Sequence, residues 1–67
     1  MDEKVIKDLE YHIANAKALK IWLDNIYYDP DFATLFNRPV ISMMSTGADY
    51  LKENLQLLKQ KYQLRKA

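Results

Sequence analysis

The chain has 67 residues, no cysteine, one histidine and a net charge of +1 from 10 basic and 9 acidic side chains. That length allows one domain at the lower limit of a self-sufficient core, and the missing cysteines exclude disulfides and thiolate metal sites. A lone His argues against structural zinc, and balanced charge disfavours nucleic acid as a partner, because such surfaces carry a basic excess.

Asp2 is placed to cap a first helix, and Asp2 with Glu3 puts negative charge at its positive end. The helix is expected over about 3–28, where no Gly or Pro interrupts the chain. Its apolar stripe is Ile6, Leu9, Ile13, Ala16, Leu19, Leu23 and Ile26, recurring at steps of three and four. Asp29-Pro30 ends it, since Pro lacks the ladder donor and pushes the preceding residue out of the α region. The same pair suits the start of a short helical turn over about 30–36, with Asp29 as cap and Pro30 at the first position. Phe32, Leu35 and Phe36 would then plug the end of the core. Pro39 suits the first turn of a second long helix over about 39–65. Lys59, Lys61, Arg65 and Lys66 complement the negative end of its dipole. Its stripe is Ile41, Met44, Ala48, Leu51, Leu55, Leu58 and Tyr62. Gly47 lies inside it at a cost of about 1 kcal/mol relative to Ala, which close helix approach or a local kink would explain.

The two stripes match when the helices fold back on each other about the 29–39 corner. Ile26 meets Ile41, Leu23 meets Met44, Leu19 meets Ala48, and so on to Ile6 with Tyr62. The expected fold is therefore all-α: an antiparallel two-helix hairpin with a short helical corner. More apolar surface remains than one hairpin can bury. Tyr11, Asn15, Ala18 and Trp22 form a face beside the first stripe. Met43, Tyr50, Leu57 and Leu64 recur every seventh residue beside the second. The polar face of the second helix is narrow: Ser42, Ser45, Asp49, Glu53, Gln56, Gln60 and Gln63. Exposed apolar surface of this extent points to a covering partner. The expected solution is a homodimer forming a four-helix bundle, with Tyr11, Ala18, Trp22, Met43, Tyr50, Leu57 and Leu64 at its interface. Ile21 and Tyr28 fall on the charged side of the first helix, outside both surfaces. They are the leading candidates for contact with a foreign protein, followed by Phe32 and Phe36.

Residues of chemical interest lack company. His12 lies one turn after Asp8, with no second His and no nucleophile at a fitting spacing. Asp24, Asp29 and Asp31 cluster at the corner, but their spacing is not that of a calcium loop. The expectation is no catalytic residue, no metal and no cofactor. No apolar run approaches the roughly 20 residues that span a bilayer, and Met1-Asp2-Glu3-Lys4 has no signal-peptide pattern. A cytoplasmic protein that does not engage membranes is expected.

Ser45-Thr46-Gly47-Ala48-Asp49 resembles, in its Ser and Asp spacing, the Ser-Gln-Glu-Leu-Asp motif of the small sporulation aspartyl-phosphate phosphatases. The middle three residues differ. The resemblance implies a two-helix hairpin that strips phosphate from a response regulator, with Ser45 and Asp49 in the motif positions. The residues themselves favour a different reading. It is a small non-enzymatic adaptor or inhibitor of a larger protein, of the kind common in bacterial and phage regulation. A nucleic-acid-associated regulator is the third class.

Overall fold

The structure is a computed structural model. It describes residues 2–35 and 37–66, with the backbone alone for 2, 33, 34 and 66. The described residues form three helices: α1 (Asp2–Tyr27), α2 (Pro30–Leu35) and α3 (Arg38–Lys66). α1 and α3 pack against each other as an antiparallel hairpin, and α2 rests on α1 at the corner.

The corner is built as its sequence dictates. The Asp29 carboxylate accepts the backbone N–H of Asp31 at 2.9 Å and of Phe32 at 3.4 Å. It thereby satisfies two donors that the first turn of α2 cannot pair internally. At the second corner the Asn37 carbonyl accepts from Val40 and Ile41, so α3 starts at Arg38 with Pro39 already inside its first turn, where no donor is needed. The Arg38 guanidinium lies over the Tyr27 ring, 5.8 Å from its centroid. Asp2 lies within α1, and its expected capping side chain falls outside the described residues, as does the whole of Phe36.

The hairpin is long and thin, 50 × 16 × 12 Å. Its closed core sits at the corner end: Leu23, Ile26, Ile41 and Ala48, with Tyr27 and Phe32 packed against them. Ile41 is wholly excluded from solvent. Toward the opposite end Ile6, Leu9, Ile13, Leu55 and Tyr62 are only half-buried.

The contact line between α1 and α3 departs from the expected stripes. On α3 the buried and half-buried residues are Ile41, Ser45, Ala48, Asp49, Lys52, Leu55, Lys59 and Tyr62, and on α1 they are Ile6, Leu9, Ile13, Ala16, Lys20, Leu23, Asp24, Ile26 and Tyr27. Each set recurs at helical spacing and extends past the expected stripe onto its polar flank. Leu19, Met44, Leu51 and Leu58, expected in the seam, are 43–53% exposed. Ser45, expected on the polar face, is buried. The reason is local. Ser45 donates to the Asp24 carboxylate across the seam, and the stems of Lys52 and Lys59 cover apolar surface while their ammonium groups reach Asp49 and Glu10. Gly47 is explained by neither expected device. α3 runs through it without interruption, and a Cβ built there would meet nothing within 4 Å.

Candidate protein-interaction faces

Turning the seam toward the polar flanks leaves the apolar stripes on one broad side of the hairpin. An open groove of about 490 Å³ runs along it at the corner end. Leu19, Trp22 and Phe32 form one wall, and Met44, Gly47 and Leu51 the other. The Trp22 and Phe32 rings meet edge to face, with centroids 6.0 Å apart. A second groove of about 260 Å³ continues the same side toward the far end, between Val5 and Leu9 on α1 and Leu58 and Lys61 on α3. The lining is almost wholly carbon, which suits another apolar side-chain face and offers little to a polar small molecule.

The opposite side is polar. A groove of about 540 Å³ is lined there by Asp24, Tyr27, Tyr28, Ser42, Ser45 and Thr46. Asp24 organises it. Lys20 donates to one carboxylate oxygen at 2.6 Å and the Ser45 hydroxyl donates to the other. These donors hold the Asp24 pKa below its ordinary value, Lys20 first and Ser45 second. The same bond raises Lys20, with the Asp24 and Asp49 charges adding to it against the cost of desolvation. A lowered carboxylate pKa contributes stability above the unfolded value of 3.8 and loses it as pH falls through the folded value; a raised Lys contributes below 10.5 and loses it as pH rises through the folded value. The urea midpoint is therefore expected to be flat near neutrality. It should fall more steeply below about pH 4 in the native chain than in Asp24→Asn, read by circular dichroism.

The residues expected at a dimer interface lie exposed. Trp22 is on the rim of the apolar groove, and Tyr11, Ala18, Met43, Tyr50, Leu57 and Leu64 form the row outside it. The four candidates for a foreign partner are separated. Tyr28, 77% exposed, borders the polar groove just past the end of α1, and Ile21 lies two turns back on the same flank. Phe32 sits on the apolar side against Trp22, and Phe36 falls outside the described residues. The reading from periodicity missed Leu19, Met44, Leu51 and Leu58 as surface residues. It had no way to separate the side facing the neighbouring helix from the side facing outward.

No group of three or more metal-ligating side chains occurs among the described residues. Asp29 is engaged in its cap and Asp24 in its ion pair. The His12 ring meets the Tyr11 ring edge to face at 5.3 Å. Of the two residues carrying the phosphatase resemblance, Ser45 donates to Asp24, and the Asp49 carboxylate pairs with Lys52 at 3.2 Å. No helix among the described residues is long and apolar enough to cross a membrane. Comparison of the chain with protein-family models, with curated proteins and with solved structures yields no match.

Proposed function

We propose that this chain is a non-enzymatic interaction module that works as a homodimer, its apolar sides closed together in a four-helix bundle. In that form it acts as an adaptor or inhibitor on a larger protein. The observation that carries the reading is the unsatisfied surface. The hairpin exposes 5435 Å², whereas a compact monomer of 7.9 kDa exposes about 4,400 Å². The excess, on the order of 1,000 Å², is what one partner contributes to a stable interface. The side lined by Leu19, Trp22, Met44 and Leu51 is the apolar surface available to close it. The foreign partner is assigned to the opposite flank, where Ile21 and Tyr28 stand exposed among polar neighbours and stay open in the bundle. A bacterial or phage regulatory setting fits a small charge-balanced protein of this shape by analogy alone. The engaged state of Ser45 and Asp49 gives the phosphatase alternative no support.

Sedimentation across a range of micromolar concentrations tests the reading. A mass of twice 7.9 kDa that falls toward one chain on dilution is expected. A single chain at every concentration, with Trp22 shielded from an aqueous quencher, would remove its basis.

A further inference from the structure

Resting on that dimer, we infer how the two copies meet: the twofold axis runs parallel to the rods, so that α1 of each copy packs against α3 of the other. The register of the hairpin supplies the argument. Two polar side-chain contacts along the seam share one register, Asp24 with Ser45 and Glu10 with Lys59. Each step forward on α1 between them is matched by a step back on α3. The same rule sets Asp8 level with Lys61, Asn15 with Asn54, and Trp22 with Gly47.

These six residues share a further property. Asp8, Asn15 and Trp22 are spaced by seven on α1, and Gly47, Asn54 and Lys61 by seven on α3, so each set forms one line along its helix. Trp22 and Gly47 stand on opposite walls of the apolar groove, and Lys61 borders its continuation. The two lines are thus the outer rims of the apolar side.

An axis parallel to the rods preserves height and exchanges left for right. It brings the α1 rim of one copy onto the α3 rim of the other without changing the register. Asp8 then faces Lys61, a charge against its opposite. Asn15 faces Asn54, an amide against an amide; Asn54 is already oriented by donating to the Tyr50 carbonyl at 2.8 Å and keeps its oxygen and second N–H to offer. Trp22 faces Gly47, the largest side chain against none. This gives Gly47 its reason: the space beside it is empty in one copy and is where the indole of the other fits.

The competing closure has its axis across the rods and sets each helix against its own copy, running oppositely. With full overlap Asn15 meets Asn15 and Asn54 meets Asn54. Asp8 then lies against an indole and Lys61 against Gly47, so both charges go unpaired at a desolvated rim. Complementarity at all three levels exists in the first arrangement alone.

The absence of native cysteine permits a clean test in the full chain. Asn15→Cys and Asn54→Cys are exposed-site substitutions. An equimolar mixture of the two variants, allowed to exchange and then mildly oxidised, is expected to give a covalent dimer carrying one of each. Either variant alone is expected to remain separable without reductant. Cross-linking of Asn15→Cys with itself would overturn the parallel axis in favour of the crossed one. A chain that sediments as a dimer yet cross-links in no combination would overturn it as well. A chain that never dimerises fails the underlying reading instead. As a second readout, Asp8→Lys and Lys61→Asp should each weaken the dimer roughly tenfold, through two pairs per dimer, and the double variant should restore it. No restoration counts against the pairing.

Discussion

Replacing Ile41 with Ala is expected to abolish cooperative unfolding at room temperature. Among the described residues Ile41 is the one large side chain wholly excluded from solvent, and it stands among Leu23, Ile26 and Ala48 in the closed core. Truncating a buried Ile to Ala costs about 2–5 kcal/mol, because the lost contacts are joined by a cavity that neighbours fill only in part. A chain of this length has roughly 3–10 kcal/mol of total stability, so one substitution removes a large share of it. The corner cannot relax into the space: α2 is tied by its Asp29 cap on one side, and α3 begins at Arg38 on the other. Urea titration by circular dichroism should show Ile41→Val losing only about 0.5–1.5 kcal/mol. Val40→Ala, next in sequence but 45% exposed, should stay within about 0.5 kcal/mol. Equal effects at positions 40 and 41 would mean that the core is not where the structure puts it.

Leu51→Glu is expected to dissolve the proposed dimer while changing the single hairpin little. In one copy Leu51 is 51% exposed, and a carboxylate there reaches water. In the proposed bundle the groove that Leu51 lines faces the other copy, and symmetry would place two carboxylates in one apolar core. Burying an unpaired charge costs several kcal/mol even after relaxation, so the dissociation constant should rise by more than about a hundredfold. Sedimentation reads this directly. Gln56→Glu, a charge of the same kind on the polar face of α3, should leave the mass unchanged. If the two variants sediment alike, the apolar side is not the surface on which copies meet.

How much of this was written in the sequence depends on what periodicity measures. Helix limits were legible within a residue or two, because Asp29-Pro30 and the Asn37–Pro39 corner carry their own backbone chemistry. The hairpin followed from two stripes of equal length. The seam did not, and the reason is geometric. A run such as Ile41, Met44, Ala48 and Leu51 reports the mean direction of apolar side chains around a helix. The direction of the neighbouring helix is a separate quantity, and here it is rotated toward Ser45 and Lys52. Only the carboxylate of Asp24, contributed by the other helix, makes a serine acceptable in that seam. A single helix considered alone contains no trace of such a partner. Gly47 was likewise readable only as an anomaly until its surroundings were seen to be empty.

The crowding of the core at the corner also dictates the order in which the chain can find its shape. Leu23 and Ile26 are separated from Ile41 by little more than α2 and its caps, so the first productive encounter closes a short loop at small entropic cost. From that clasp the two rods zip outward turn by turn, each step adding weaker, half-wet contacts. A topology dominated by such near neighbours belongs to the fast-folding class. The route to the native state therefore begins at the bend and finishes at the chain ends.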